Sequence, residues 1–232
     1  MIDSLEVVRH PRARVARLSV DPATGRVRLT VPKRMALRTA IEWATTKSDW
    51  IDAQRAVLPT GRPFLPDVVL PVADRAVTLV WDETASRVPR LLPADDATAS
   101  LLCGGPHEGF EARIGRWLVR EALRVLTDDT AYYAEKAGVG ITRVAVGDPK
   151  ARWGSCSSSG AIRYSWRLLL APGFVRRATV AHEVAHRVHM HHGPSFHALV
   201  ADLYEGDPDA ARAWLRRDGA ALHWYGRASS SE

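Results

Sequence analysis

Cysteine is scarce in this chain: Cys103 and Cys156 are the only two in 232 residues. That excludes the disulfide scaffold of a small secreted domain. No apolar run approaches the ~20 residues that span a bilayer as a helix, so no membrane association is expected. The opening Met1-Ile2-Asp3-Ser4-Leu5-Glu6 lacks the basic region and apolar core of a secretory signal. The cytoplasm is therefore the expected compartment. No internal repeat is visible, and no Lys/Arg run exceeds two residues.

What is present is ordinary for a globular protein: 46% hydrophobic and 25% charged residues. The length fits one large domain or two small ones and allows a sizeable core. The net charge is +6, carried mostly by arginine spread from Arg9 to Arg227. Such a balance can signal nucleic-acid contact. Without a basic run, an arginine-rich solvated surface is the simpler reading.

The first third alternates like strands at Leu5–Val8, Val15–Val20 and Val27–Val31, the last two joined as a hairpin by Asp21-Pro22-Ala23-Thr24-Gly25. Residues 35–58 read as one helix from Leu37, Ile41, Ala44 and Ile51. Further strands are expected at Val68–Leu70, Ala76–Trp81 and Arg90–Leu92. Gly104-Gly105-Pro106 is the candidate domain boundary. A long amphipathic helix is expected over 108–137, with Ile114, Leu118, Ala122, Leu126 and Tyr133 on one side. Strands are expected at 141–146 and 161–170. A helix from Pro172 to about Met190 follows, then helices at 195–204 and 208–218. The expected layout is a β-rich region with one helix over 1–105, a catalytic region over 106–226, and a disordered tail over 227–232.

The chemistry lies in His182-Glu183-Val184-Ala185-His186, an H-E-x-x-H. Chance produces this motif in roughly 1–2% of such chains, which favours a real site. On a helix, residues four apart share a face, so His182 and His186 can grip one ion. Zinc takes about four tetrahedral ligands, and a catalytic site leaves one position to water. Glu183, beside the ion and unsuited to ligating it, is placed as general base. A third ligand could be His189, His191, His192, His197, Asp202 or Glu205. His192 needs the helix to end first, which Gly193-Pro194 can supply. His189 suits a supporting or substrate role. Spacing favours His192 over Glu205 only modestly.

Several stretches resemble the YgjP-like metallopeptidase domain family, which is related to the SprT-like and WLM zinc peptidases. They are Arg152-Trp153-Gly154-Ser155-Cys156-Ser157-Ser158, Ile162–Leu168, Val180–His186 with His192-Gly193-Pro194-Ser195-Phe196, and parts of residues 12–51. The resemblance implies an α+β fold with a zincin-like half built around an active-site helix. It also implies Zn2+ held by His182, His186 and His192, with Glu183 as base and a peptide or protein as substrate. A SprT-like role on DNA-linked proteins is the competing expectation, and a non-catalytic metal-binding module a third. His197 stands where the family commonly has Trp, which reads as an altered pocket wall or a tolerated surface change, the second being favoured. Tyr164 and Arg152 are candidate oxyanion stabilisers, and Trp153 a further substrate-side residue. Strand 161–168 is expected to be an edge that pairs with substrate. Cys156 reads as a small buried residue.

Overall fold

A computed structural model describes residues 5–228. The expected tail falls mostly on residues 229–232, and the opening residues on 1–4; both lie outside the described residues. The chain forms two compact units that divide between Thr60 and Gly61, and the fold is α+β.

In the first unit, β1 (Leu5–His10) runs parallel to β3 (Val27–Pro32), and β2 (Arg17–Val20) pairs antiparallel on the other side of β3. The expected hairpin is β2–β3. Alternation buries Val27, Leu29 and Val31 on one face. Against this face pack Ala40 and Ala44 of the helical stretch. That stretch is two helices, α1 (Leu37–Thr45) and α2 (Ser48–Ala56), not one. The break falls at Thr46-Lys47, where Thr46 turns its hydroxyl to the Trp43 carbonyl and offers the backbone an alternative to the helix.

The second unit opens with a sheet in the order β4-β5-β7-β6: β4 is Val69–Val72, β5 Arg75–Trp81, β6 Arg90–Pro93 and β7 Thr98–Cys103. Its buried Leu70, Val77, Leu79 and Leu101 share one core with α3 (Phe110–Ala137). Gly104-Gly105, expected as the domain boundary, is a tight turn inside this unit. A side chain at 104 would meet the Ala85 carbonyl, and Gly105 sits at φ +82°. Glycine pairs mark linkers and tight turns alike, and only the shared core tells them apart.

A second sheet has the order β8-β10-β9, formed by β8 (Arg143–Gly147), β9 (Gly154–Cys156) and β10 (Ala161–Ser165). β10 is shorter than expected, because residues 166–170 coil into a 3-10 turn that buries Trp166, Leu168, Leu169 and Leu170. Helix α4 (Gly173–Ala185) packs on α3, α5 (Pro194–Leu203) and α6 (Pro208–Arg217), and α7 (Gly219–Leu222) closes the fold. Two buried arginines tie distant segments together. Arg176 on α4 bonds Asp129 of α3 at 2.8 Å. Arg167 bonds Asp148 at 2.6 Å and the Leu222 and Tyr225 carbonyls at 2.6 and 3.0 Å.

Candidate metal centre

Helix α4 is buried on nearly every side, which holds His182 and Glu183 on a rigid support. It ends earlier than its apolar pattern suggests, at Ala185, with His186 as its C-cap. Beyond it the backbone tightens, with Arg187 N–H bonding the Val184 carbonyl at 2.9 Å and Val188 N–H the Ala185 carbonyl at 3.0 Å, while the Arg187 guanidinium bonds the Gly140 and Ser158 carbonyls at 3.1 and 3.0 Å. The chain therefore turns before Gly193-Pro194, and this brings His192 back over α4.

His182, His186 and His192 form the group that could hold a metal ion, their ligand atoms all within 4.8 Å of one another. His192 Nε2 stands 3.2 Å from His182 Nε2. Two nitrogens bound at 2.0–2.1 Å to one tetrahedral ion lie about 3.3 Å apart, so the spacing fits. His186 Nδ1–H donates to the His189 carbonyl at 3.1 Å, which leaves Nε2 as the acceptor facing the cluster. Burial, helped by the neighbouring imidazoles, pushes His182 down to about 4, and burial also lowers His186. Both rings are therefore neutral near pH 7, the state that ligates. Beneath all three lies Phe196, fully buried, its ring centroid 4.9, 4.6 and 4.7 Å from those of His182, His186 and His192. The sequence assigned Phe196 no role, although it closes the family-like stretch that begins at His192.

Glu183 is buried beside this cluster, and burial pushes its carboxyl up to about 7 against the opposing charge of Arg152. The backbone of β9 packs directly on it. A Cβ at Gly154 would stand 2.5 Å from Glu183 Oε1, 2.6 Å from Cγ and 2.8 Å from Cδ. Glycine is needed there for close approach rather than for a bend.

The remaining candidates scatter. Tyr164 is fully buried on β10 with its hydroxyl 3.1 Å from Thr130 Oγ1, so it is placed in the core and not at the cluster. Its strand position alternates inward, and sequence alone could not say which sheet face met the site. Arg152 is exposed, and Trp153 lines the adjoining cavity while stacking on His223 at 5.1 Å. His189 contributes its carbonyl, because the helix that would have aligned its ring has already ended. Glu205 is taken by Lys136 at 2.9 Å and by the Tyr132 hydroxyl. His197, expected at a neutral surface position, lines the cavity and stacks 6.4 Å from His192. Cys156 is half-buried, and burial raises its thiol.

β10 is not an edge: it lies between β8 and β9. The edge nearest Glu183 is β9, and among the described residues no strand pairs with its other side. Ser165 N–H donates to the Trp153 carbonyl and Ser157 N–H to the Ala161 carbonyl. By antiparallel alternation, Gly154 and Cys156 turn their own N–H and C=O outward, to the open edge.

Three imidazoles converging beside a buried carboxylic acid at an open strand edge define the layout of a metal-dependent hydrolase. The chain belongs to the YgjP-like metallopeptidase family: the model of the YgjP-like metallopeptidase domain matches residues 14–218. A solved structure, the metallopeptidase zymogen of Pyrococcus abyssi abylysin, aligns at 20% identity over 42% of this chain and 94% of that one. Its TM-score of 0.36 is too low to bear on fold or function. No curated protein matches the chain.

Proposed function

We propose that the chain is a zinc-dependent peptidase, with His182, His186 and His192 as ligands and Glu183 as general base. The observation that carries this reading is the convergence of three imidazoles within 4.8 Å, next to a carboxyl whose burial raises it to about 7. A donor set of imidazoles alone suits zinc among the borderline metals. When bound, zinc supplies a Lewis acid that polarises the scissile carbonyl and acidifies a water.

The chain's own residues do the rest. His186 is held in one tautomer by the His189 carbonyl, and Phe196 fixes the angle of the three rings. Glu183 takes a proton at its carboxylate from the attacking water and passes it to the leaving amine, work suited to a carboxyl whose own proton affinity lies near neutrality. The outward N–H and C=O groups of Gly154 and Cys156 pair with an extended substrate, adding a strand to β9 and aligning its backbone with Glu183.

The test compares three variants by metal analysis and peptide cleavage. Glu183→Gln keeps zinc and loses hydrolysis by several orders of magnitude. His182→Ala and His192→Ala lose zinc. Full zinc occupancy in His192→Ala removes that residue from the ligand set. Undiminished cleavage by Glu183→Gln overturns the mechanism.

A further inference from the structure

A cavity of about 540 Å³ opens from the candidate metal centre and runs back along α4 between α5 and α6. This volume lies within the range of sites that enclose a ligand group. His182 and Glu183 form its near end, and Ala178 and Thr179, one turn earlier on the same helix face, continue the wall. Ala201 on α5 and Ala211 on α6 keep the far side open, where larger residues would fill it.

The lining is more apolar than polar, and its polar groups are His182 and Glu183 at the near end, with Thr179, His197, Asp209 and Arg212. The Thr179 hydroxyl is spent on the Val175 carbonyl at 2.8 Å. Arg212 and Asp209 are paired with each other. The walls between them are alanine, Val200, Leu215 and the Trp153 ring. A charged group entering between the alanines, Val200 and Leu215 would lose its water against apolar walls, which is costly. An apolar side chain would lose only water that it holds weakly.

Resting on the peptidase reading above, we infer that this cavity is the specificity pocket. It takes one large apolar side chain, of leucine to phenylalanine size, from the substrate residue adjoining the scissile bond. β9 supplies sequence-independent backbone pairing, and the cavity supplies selection. The selecting residues are Ala178, Ala201 and Ala211, whose smallness makes the room.

The test uses the full zinc-loaded chain on a peptide library, with cut sites read by mass spectrometry. Leu, Met and Phe are expected to be enriched at one position adjoining the cut; uniform usage at both flanking positions overturns the proposal. Ala201→Phe then fills the cavity from an exposed helix position, where the added ring displaces no core. Ala211→Leu fills it from α6, at a buried position, so thermal unfolding is measured on this variant first. In each variant the ratio of kcat/KM for matched Phe and Gly peptides is expected to fall roughly ten- to hundredfold, the worth of burying such a side chain. An unchanged ratio in either folded variant overturns the pocket.

Calorimetry on the Glu183→Gln protein with Ala-Ala-Phe-Ala-Ala and Ala-Ala-Gly-Ala-Ala separates this inference from the reading beneath it. Tighter binding of the Phe peptide, abolished by Ala201→Phe, keeps the pocket even if the wild type cuts no peptide, in which case the peptidase reading alone falls. Equal binding of the two peptides overturns the pocket whatever the activity.

Discussion

Replacing Gly154 by alanine adds one methyl group at the point where β9 touches Glu183. The new Cβ would lie 2.5 Å from Oε1, about 0.9 Å inside the ordinary contact limit of 3.4 Å. Cγ and Cδ, at 2.6 and 2.8 Å, close off simple rotation of the carboxylate as an escape. Glu183 is buried, so its carboxylate must move by about 1 Å, or β9 must lift from it. A misplacement of that size costs a catalytic group on the order of a hundredfold, or about 2.7 kcal/mol of transition-state stabilisation. The overpacking itself destabilises the fold by about 1–3 kcal/mol. The three atoms nearest the added methyl all belong to Glu183 and none to an imidazole, so zinc binding is expected to persist.

The assay is kcat and KM on a cleaved peptide, with zinc content and thermal unfolding measured on the same samples. The expected result is a kcat about a hundredfold lower with zinc retained. In a Glu183→Gln background the same change adds no further loss, because the group it displaces no longer acts. Wild-type kcat in folded, zinc-loaded Gly154→Ala refutes the reasoning. So does loss of zinc with the fold intact, which would tie Gly154 to the ligands instead.

Two further outcomes are expected. Phe196→Ala removes the ring under all three imidazoles. It should cost about 3–5 kcal/mol of stability and weaken zinc binding some ten- to hundredfold; a zinc titration at wild-type affinity would show that the rings hold themselves. Asp148 governs acid stability: burial opposes its ionisation, but bonds from His223, Arg167 and Lys150 outweigh burial and hold it far below the usual carboxylate range. Because its folded pKa is depressed, its stabilisation is complete above an unfolded value of about 4 and drains away as pH falls below it. Asp148→Asn should therefore destabilise the protein at pH 7 and make it less sensitive to acid between about pH 4 and 2, as read from unfolding midpoints. Parallel acid profiles for the two proteins would contradict this.

Much of the site was legible because it is local. His182, Glu183 and His186 are fixed by a four-residue helical repeat, and the long helix α3 by apolar residues every third or fourth position. The spacing of His192 brought it within reach, but its placement needed the helix to end at Ala185. At that ending Arg187 bonds carbonyls 47 and 29 residues away in sequence. Periodicity carries no record of such bonds, so the helix was expected to continue and the His189 ring to matter. The burial of Tyr164 was hidden for a related reason: alternation says that successive residues face opposite sides of a sheet, but not which side is core.

The sequence by itself determined the family and the residue types on offer: two histidines a helical turn apart with a carboxylate beside the first. Tertiary structure decided the geometry: Phe196 under the rings, the β9 backbone against Glu183, β10 enclosed and β9 exposed, and a cavity walled by alanines from three helices. Candidate ligands are a matter of residue type and helical period, which one segment can specify. Support, edges and empty space are relations between segments, and exist only once the chain has packed.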